Sequence, residues 1–148
     1  MKLLVQRVNS AKVIISNKHF SQIGQGLCVF LGIKDTDTKK DADFLIGKLL
    51  KSTFFESQTS KKYFDYNVQK LDLEILIVSQ FTLYGNLKKG TKPSFSEAMN
   101  PEGAKNLYNY FVTTIKKQYS RIQTGQFGAR MKIELENDGP VTFIIESK

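Results

Sequence analysis

Apolar and polar positions alternate from the first residues: Leu3, Val5 and Arg7 against Leu4, Gln6 and Val8, a period of two that predicts a strand over residues 1–10. Residues 11–16, rich in β-branched side chains, predict a second short strand, and Asn17-Lys18-His19 reads as a solvated turn. Gly24-Gln25-Gly26 marks another turn, after which residues 27–33 form a continuous apolar run, the pattern of a strand buried on both faces. Asp35-Thr36-Asp37-Thr38 supplies helix-capping residues. Ala42, Leu45, Ile46, Leu49 and Leu50 then follow the helical period over residues 39–51. The polar stretch 57–62 predicts a loop, residues 63–68 a strand, and residues 73–84, with Ile75, Leu76, Ile77 and Val78, a central strand.

Beyond that strand, residues 85–93 form a basic loop carrying Lys88, Lys89 and Lys92. Asn100-Pro101 opens a helix over residues 102–119, with proline where the first turn tolerates it. Its apolar stripe uses Ala104, Leu107, Tyr108, Phe111, Val112 and Ile115. Residues 131–135 and 141–145 predict two closing strands separated by Asn137-Asp138-Gly139-Pro140. Strands outnumber helices and no linker or repeat divides the chain. The expected architecture is therefore α+β: one domain over residues 1–148, a compact barrel-like β-sheet with helices packed outside.

Composition narrows the function classes. With 148 residues, 41% hydrophobic and 24% charged, the chain fits one soluble globular domain, and its eleven Phe and six Tyr supply a core. No apolar run approaches the about 20 residues of a membrane span, and the N-terminus turns polar too early for a signal peptide. Cys28, the single cysteine, lies in an apolar run and reads as a buried small hydrophobe in a reducing compartment. With one histidine, His19, and one cysteine, zinc sites and Cys–His or Ser-His-Asp nucleophiles are poor fits, so no metal or cofactor is expected. Lys and Arg total 22 against 14 Asp and Glu, a net charge of +8 spread mostly over lysines. Dispersed lysines usually mean a solvated surface, but Lys88, Lys89 and Lys92 directly follow the central strand, where they suit a polyanion.

Two segments can carry chemistry. Ser79-Gln80-Phe81-Thr82-Leu83-Tyr84-Gly85 stands where the hydrophobic strand ends. Alternation puts Ser79, Phe81 and Leu83 on one face and Gln80, Thr82 and Tyr84 on the other. Hydroxyls, an amide and strand-end N–H groups there suit a small polar ligand, although spacing alone favours an ordinary strand with solvated polar residues. In Asn137-Asp138-Gly139-Pro140-Val141-Thr142, the proline marks an edge, bulge or bend. A hairpin turn is the simplest reading, and a cis Gly-Pro bond would fix the flanking carbonyls as acceptors. Phe95, Phe127 and Met131 suit either a pocket wall or the core.

Gln6-Arg7-Val8, Ser79-Gln80-Phe81-Thr82-Leu83, Pro93-Ser94-Phe95, Phe127-Gly128-Ala129 with Met131, and Asn137-Asp138-Gly139-Pro140-Val141-Thr142 occur in this order. This ordered set, spanning nearly the whole chain, resembles the D-aminoacyl-tRNA deacylase (D-tyrosyl-tRNA deacylase) family. The resemblance implies a cytoplasmic homodimer with active sites at the interface. Such enzymes hydrolyse the ester between a D-amino acid, or glycine, and the terminal adenosine of tRNA. It assigns Ser79, Gln80, Phe81 and Thr82 to the catalytic pocket. It makes Gly139-Pro140 a cis motif entering the partner's pocket, where its carbonyls hold the α-amino group and exclude an L side chain. Arg7 is implied to support that motif; Phe127, Met131 and Phe95 bind substrate, and Lys88, Lys89 and Lys92 meet the tRNA backbone. Two features depart from the family pattern: Arg130 stands where an acidic residue is usual, and residues 51–60 replace an Asn-, Arg- and Gly-containing stretch. Thr82 as a covalent nucleophile, a non-catalytic RNA-binding module, a purely structural domain and an L-alanine proofreader are the competing readings.

Overall fold

The computed structural model describes residues 1–57, 59 and 62–148; of the expected loop 57–62, Gln58, Ser60 and Lys61 lie outside the described residues. The chain opens with one long strand, β1 (Lys2–Ile15), where two were expected. No Gly or Pro interrupts residues 1–16, so the strand continues through the exposed Asn9 and Ser10 and absorbs irregularities as register shifts against its neighbour. Ser16 and Asn17 both take positive φ (49° and 60°), the two-residue hairpin geometry that matches strand twist. The chain then returns as β2 (Lys18–Ile23). His19 therefore sits in a strand, exposed and paired with Ile14, rather than in a turn.

β3 (Gly26–Gly32) continues along β1 in the register that β2 began, with Ala11 opposite Ile23 and Val8 opposite Gly26. β6 (Glu74–Ser79) lies parallel to β3, and the three-residue β7 (Ile122–Thr124), which the sequence pattern did not suggest, lies parallel to β6. The Ser21 hydroxyl donates to the Thr124 carbonyl at 2.8 Å, joining β2 to β7 and nearly closing the sheet into a barrel. Between β3 and β6 come α1 (Lys39–Lys51) and a small separate ribbon, β4 (Thr53–Phe55) with β5 (Tyr66–Asn67). The strand expected over residues 63–68 is thus only two residues long.

Alternation along the parallel strands feeds two cores. Leu27, Val29, Leu31, Ile75 and Ile77 pack outward against Leu45, Ile46 and Leu49 of α1 and Phe111 and Ile115 of α2 (Pro101–Gln118). Cys28, Leu76 and Val78 point inward with Val8, Val13 and Ile23 and fill the barrel. That is why these runs are apolar at every position. Burial pushes the Cys28 thiol up to about 12, so it remains neutral. Both helices start where capping chemistry predicts: Thr38 and Asp41 form a reciprocal capping box on α1, and the Asn100 side chain accepts from Gly103 N at 2.9 Å on α2. No helix among the described residues is long and apolar enough to cross a membrane.

The two expected closing strands are one, β8 (Lys132–Glu146), antiparallel to β1. The Asn-Asp-Gly-Pro segment is a bulge inside it, not a hairpin turn: Gln6 faces Thr142 and Val8 faces Asn137, so residues 138–141 stand opposite Arg7 alone. Pro140, which has no N–H to offer the ladder, is accommodated there.

Candidate active site

The carboxyl ends of β3, β6 and β7 lie side by side, with Leu31 opposite Ser79 and Ile77 opposite Thr124. The central strand stops at Ser79, five residues short of its predicted end. Gln80 N donates to Leu31 O (2.8 Å) as the last sheet bond, and Phe81–Tyr84 wind into a 3₁₀ turn closed by Leu83 N to Gln80 O (3.3 Å) and Gly85 N to Thr82 O (2.9 Å). Gly32 permits this: a Cβ there would come within 2.9 Å of Leu83 Cβ and 3.3 Å of Gln80 O. The two-faced alternation expected for Ser79, Phe81 and Leu83 consequently does not hold. Instead the Gln80 side-chain amide donates to the Thr82 hydroxyl, and the exposed Phe81 ring packs on Phe95 with centroids 4.9 Å apart. The N–H groups of Phe81 and Thr82 open the turn, where no preceding carbonyl within the turn can take them.

From β7, Gly125 N donates to Ile77 O (2.9 Å), and the chain turns through Gly128 (φ +76°) to Met131. Phe127 packs on Tyr108 of α2 with centroids 5.4 Å apart, on the outer core, whereas Met131 joins the inner core. The Tyr108 hydroxyl, pushed up to about 12 by burial, stays protonated and donates to Ile77 O (3.3 Å). The structure thus brings Phe95 to Phe81 and sets Phe127 and Met131 on opposite sides of the sheet end. Asn86 and Ser94 exchange backbone bonds (2.8 and 2.9 Å), making the basic loop a hairpin with Lys88, Lys89 and Lys92 exposed.

The bulge in β8 is organised by Arg7, whose side chain is buried. Its Nη1 donates to Phe54 O at 3.1 Å, its Nε lies 3.0 Å from Asp138 Oδ2 as an ion pair without hydrogen-bond alignment, and its Nη2 is 3.9 Å from Glu56 Oε1. Asn137 bridges the bulge: Oδ1 accepts from Val141 N and Nδ2 donates to Thr142 Oγ1, both at 3.0 Å. Gly139 has φ +120°, and the Gly139–Pro140 bond is cis. A Cβ on residue 139 would sit 2.7 Å from Val141 Cγ2 and 3.1 Å from Arg7 Nη2. Sequence reasoning gave roles to Arg7, Gly139 and Pro140; it named Asn137 and Asp138 only as members of the motif and assigned nothing to Glu56. The Asn-x-Gly-Pro spacing was a signal for Asn137, since asparagine side chains commonly bond the backbone of a bend.

These two constructions stand apart in one chain. Arg7 pairs with Leu27, four residues from Leu31, and β8, β1, β3 and β6 are successive neighbours. Strand geometry makes that about 13 Å along the sheet and about 14 Å across it. Gly139 and Pro140 are exposed, and among the described residues the outer edge of β8, with exposed Phe143 and Ile144, pairs with no strand. Among the described residues no three His, Cys, Asp or Glu side chains are grouped to hold a metal ion.

Fold and site define the class first: a barrel-like α+β domain with a polar strand-end turn and a separate, charge-supported backbone bulge. Comparison with known proteins narrows it. The family model for D-Tyr-tRNA(Tyr) deacylase matches residues 4–146. The D-aminoacyl-tRNA deacylase of Thermosipho melanesiensis is 48% identical over 151 aligned positions, covering 100% of this chain and 98% of that protein. That of Finegoldia magna is 47% identical, covering 100% and 99%. A solved structure described as a c-Myc DNA unwinding element binding protein superposes with a TM-score of 0.95 at 43% identity, covering 100% of this chain and 99% of that one. A probable eukaryotic D-amino acid tRNA deacylase superposes at 0.82 and 20% identity, covering 98% of each, a likeness of fold alone. The chain belongs to the D-Tyr-tRNA(Tyr) deacylase family.

Proposed function

We propose that this D-aminoacyl-tRNA deacylase works as a homodimer in which the Gly139-Pro140 bulge of each protomer enters the strand-end site of the other. The observation that carries this is the separation just described: two motifs that the resemblance assigns to one active site stand at distant points of a single chain, and among the described residues one projects from an unpaired sheet edge. An intermolecular meeting supplies what the single chain lacks.

In the assembled site, the N–H groups of Phe81 and Thr82 polarise the ester carbonyl and stabilise the oxyanion that water attack creates. An aminoacyl ester is already activated, so positioning and oxyanion stabilisation suffice without a strong nucleophile. As the resemblance implies, the substrate's own 2′-hydroxyl assists the water. Ser79 and Gln80 complete the polar wall, and Phe81 with Phe95 offers an aromatic surface beside it; Phe127 and Met131 are assigned to substrate binding. The partner's Gly139 and Pro140 carbonyls accept from the substrate's α-ammonium and leave no room for an L side chain, while a D side chain points away. Tolerance across D side chains follows, and glycine, with nothing to reject, is also cleaved. Arg7 holds the bulge, and Lys88, Lys89 and Lys92 serve the tRNA backbone. The place of action is the cytoplasm, where charged tRNA is used.

The test is release of labelled amino acid from D- and L-tyrosyl-tRNA side by side, with chelator present. Cleavage of the D form alone is expected; equal rates would overturn the filter. Insertion in trans is tested by mixing two inactive variants. Phe81→Pro removes one N–H donor at a position whose predecessor is already extended (Gln80 φ −146°, ψ 85°), and Gly139→Ala spoils the bulge. Mixed dimers contain one intact site, so activity returns on mixing; no recovery would place both motifs in one protomer's site.

A further inference from the structure

We propose that the cleft behind the 3₁₀ turn binds the RNA phosphates that precede the terminal adenosine, a deepening that rests on the deacylase reading above. The cleft encloses about 420 Å³. Its back wall is Leu83, Tyr84 and Gly85, the far end of the same turn that offers Phe81 and Thr82 to the ester. Three residues of 3₁₀ helix span about 6 Å, so this opening lies within one nucleotide's reach of a strand whose last nucleotide is at Phe81.

Four segments distant in sequence each send a lysine to it: Lys2 from β1, Lys34 from the approach to α1, Lys88 from the basic hairpin and Lys148 from the tail of β8. Lys88 has no ion-pair partner among the described residues. Lys2 and Lys34 rest on carboxylates that are about half exposed, Glu146 at 2.8 Å and Glu97 at 3.0 Å, and Lys148 reaches Asp41 at 3.3 Å. The Lys2 and Lys34 pairs, made with half-exposed carboxylates, are worth about 0–1 kcal/mol each, so a phosphate can draw those two lysines toward it. Glu97 and Glu146 also line the cleft, and Lys148 stays with the buried Asp41. The buried carboxylate in the wall, Asp37, does not oppose an anion: its oxygens are engaged by the Met1 ammonium (2.5 Å) and Lys34 N (2.6 Å). Tyr84, also in the wall, carries the Lys2 ammonium over its ring at 5.2 Å, and burial keeps its hydroxyl protonated, a donor for a phosphate oxygen. Lys89 and Lys92 do not line the cleft, which divides the basic loop into one lysine facing inward and two facing solvent.

Binding of uncharged tRNA, measured against salt, tests this independently of catalysis. The double variant Lys34→Gln/Lys88→Gln is expected to weaken binding about tenfold and to flatten the log–log salt slope by about 1.4, two single-strand phosphate contacts' worth. Lys116→Gln/Lys117→Gln, at the end of α2, is expected to change neither. A tetranucleotide ending in the tRNA 3′ sequence should lose as much as full-length tRNA. Unchanged binding overturns the proposal, and so does a loss for tRNA without a loss for the tetranucleotide, which would move the contact to the stem. Duplex DNA binding as tightly, and weakened equally by the double variant, would reassign the cleft to duplex DNA. If wild-type protein binds through these lysines yet leaves D-tyrosyl-tRNA intact, the hydrolase reading fails while the cleft assignment stands.

Discussion

The strand-end turn and the β8 bulge are built on opposite plans. At the turn, side chains and the first N–H groups of the 3₁₀ helix are on display, and the main chain holds them: backbone bonds to Leu31 and within the turn, seated over Gly32. At the bulge, the main chain of Gly139 and Pro140 is on display, and side chains hold it: Arg7 with Asp138 and Phe54, and Asn137 across the gap. A surface made of main chain reads what every amino acid shares, its α-carbon geometry. A surface made of side chains and amides can meet the reacting ester. The two plans therefore fail under different insults, and each substitution below is aimed at one of them.

The largest effect is expected from Gly139→Ala. The added methyl would press Val141 Cγ2 and Arg7 Nη2 at 2.7 and 3.1 Å, at a φ of +120° that L side chains rarely adopt. Displacing the carbonyls should cost about 100-fold in D-tyrosyl-tRNA cleavage, the equivalent of about 2.7 kcal/mol, with circular dichroism unchanged. Activity within about threefold of wild type would mean that the bulge does not read the substrate.

Arg7→Ala attacks the same region through its support. It leaves the Phe54 carbonyl and the Asp138 carboxylate without their cation and should lower unfolding free energy by about 2 kcal/mol, measured in urea. Discrimination between D and L substrates should fall as well. Lysine at position 7 should not restore it, because one ammonium cannot serve three divergent oxygens as the guanidinium does. Glu56→Gln, removing a 3.9 Å contact to a half-exposed carboxylate, should cost no more than about 0.5 kcal/mol.

The same contrast explains what the sequence disclosed. Barrel and helices were legible because the runs 27–31 and 75–78 and the stripes around Leu45 and Phe111 answer to burial, which periodicity records directly. The turn at Phe81 was hidden because Phe, Thr and Tyr favour strands; the fold overrides them by placing Gly32, distant in sequence, beneath Gln80 and Leu83. The bulge was half legible. Pro140 announced a break in the ladder, but an asparagine and an arginine turned the expected hairpin into a continuous strand. β7 escaped notice because three residues are too few for a period, and the β1 hairpin because Ser16-Asn17 lacks the usual glycine. Of the site residues, types and order were visible, and the distance between the two motifs was not.

A substitution away from both regions calibrates them. Asp41 completes the α1 capping box, and although burial opposes its charge, bonds from Thr38, Ser147 and Lys148 hold its carboxyl below the usual value of 3.8. A carboxyl lowered on folding stabilises the native state above its ordinary value and loses that contribution as pH falls through the lowered one. Asp41→Asn should thus cost about 1 kcal/mol at neutral pH, less as the pH drops below 4, and leave the D-to-L ratio unchanged. A shift in that ratio would show that stability, not local geometry, lies behind the two larger effects.

Thr82→Ala should do little to cleavage, and its smallness is what sharpens the contrast. If the turn acts through its N–H groups, the hydroxyl is dispensable, and alanine keeps the same donor in the same 3₁₀ turn. The hydroxyl's neighbour is the Gln80 amide, which donates to it; an amide in either orientation is no base. The only histidine lies exposed on β2, paired with Ile14. A nucleophilic threonine needs a proton acceptor, and among the described residues nothing beside Thr82 serves as one. Cleavage of D-tyrosyl-tRNA by the variant should therefore stay within about threefold of wild type, a loss below 1 kcal/mol. A loss of two orders of magnitude, with a burst of released tRNA ahead of the amino acid in the wild type, would instead make Thr82 an acyl carrier. The turn would then act through a side chain in the reaction itself, and the division between a region that reads and a region that polarises would no longer hold.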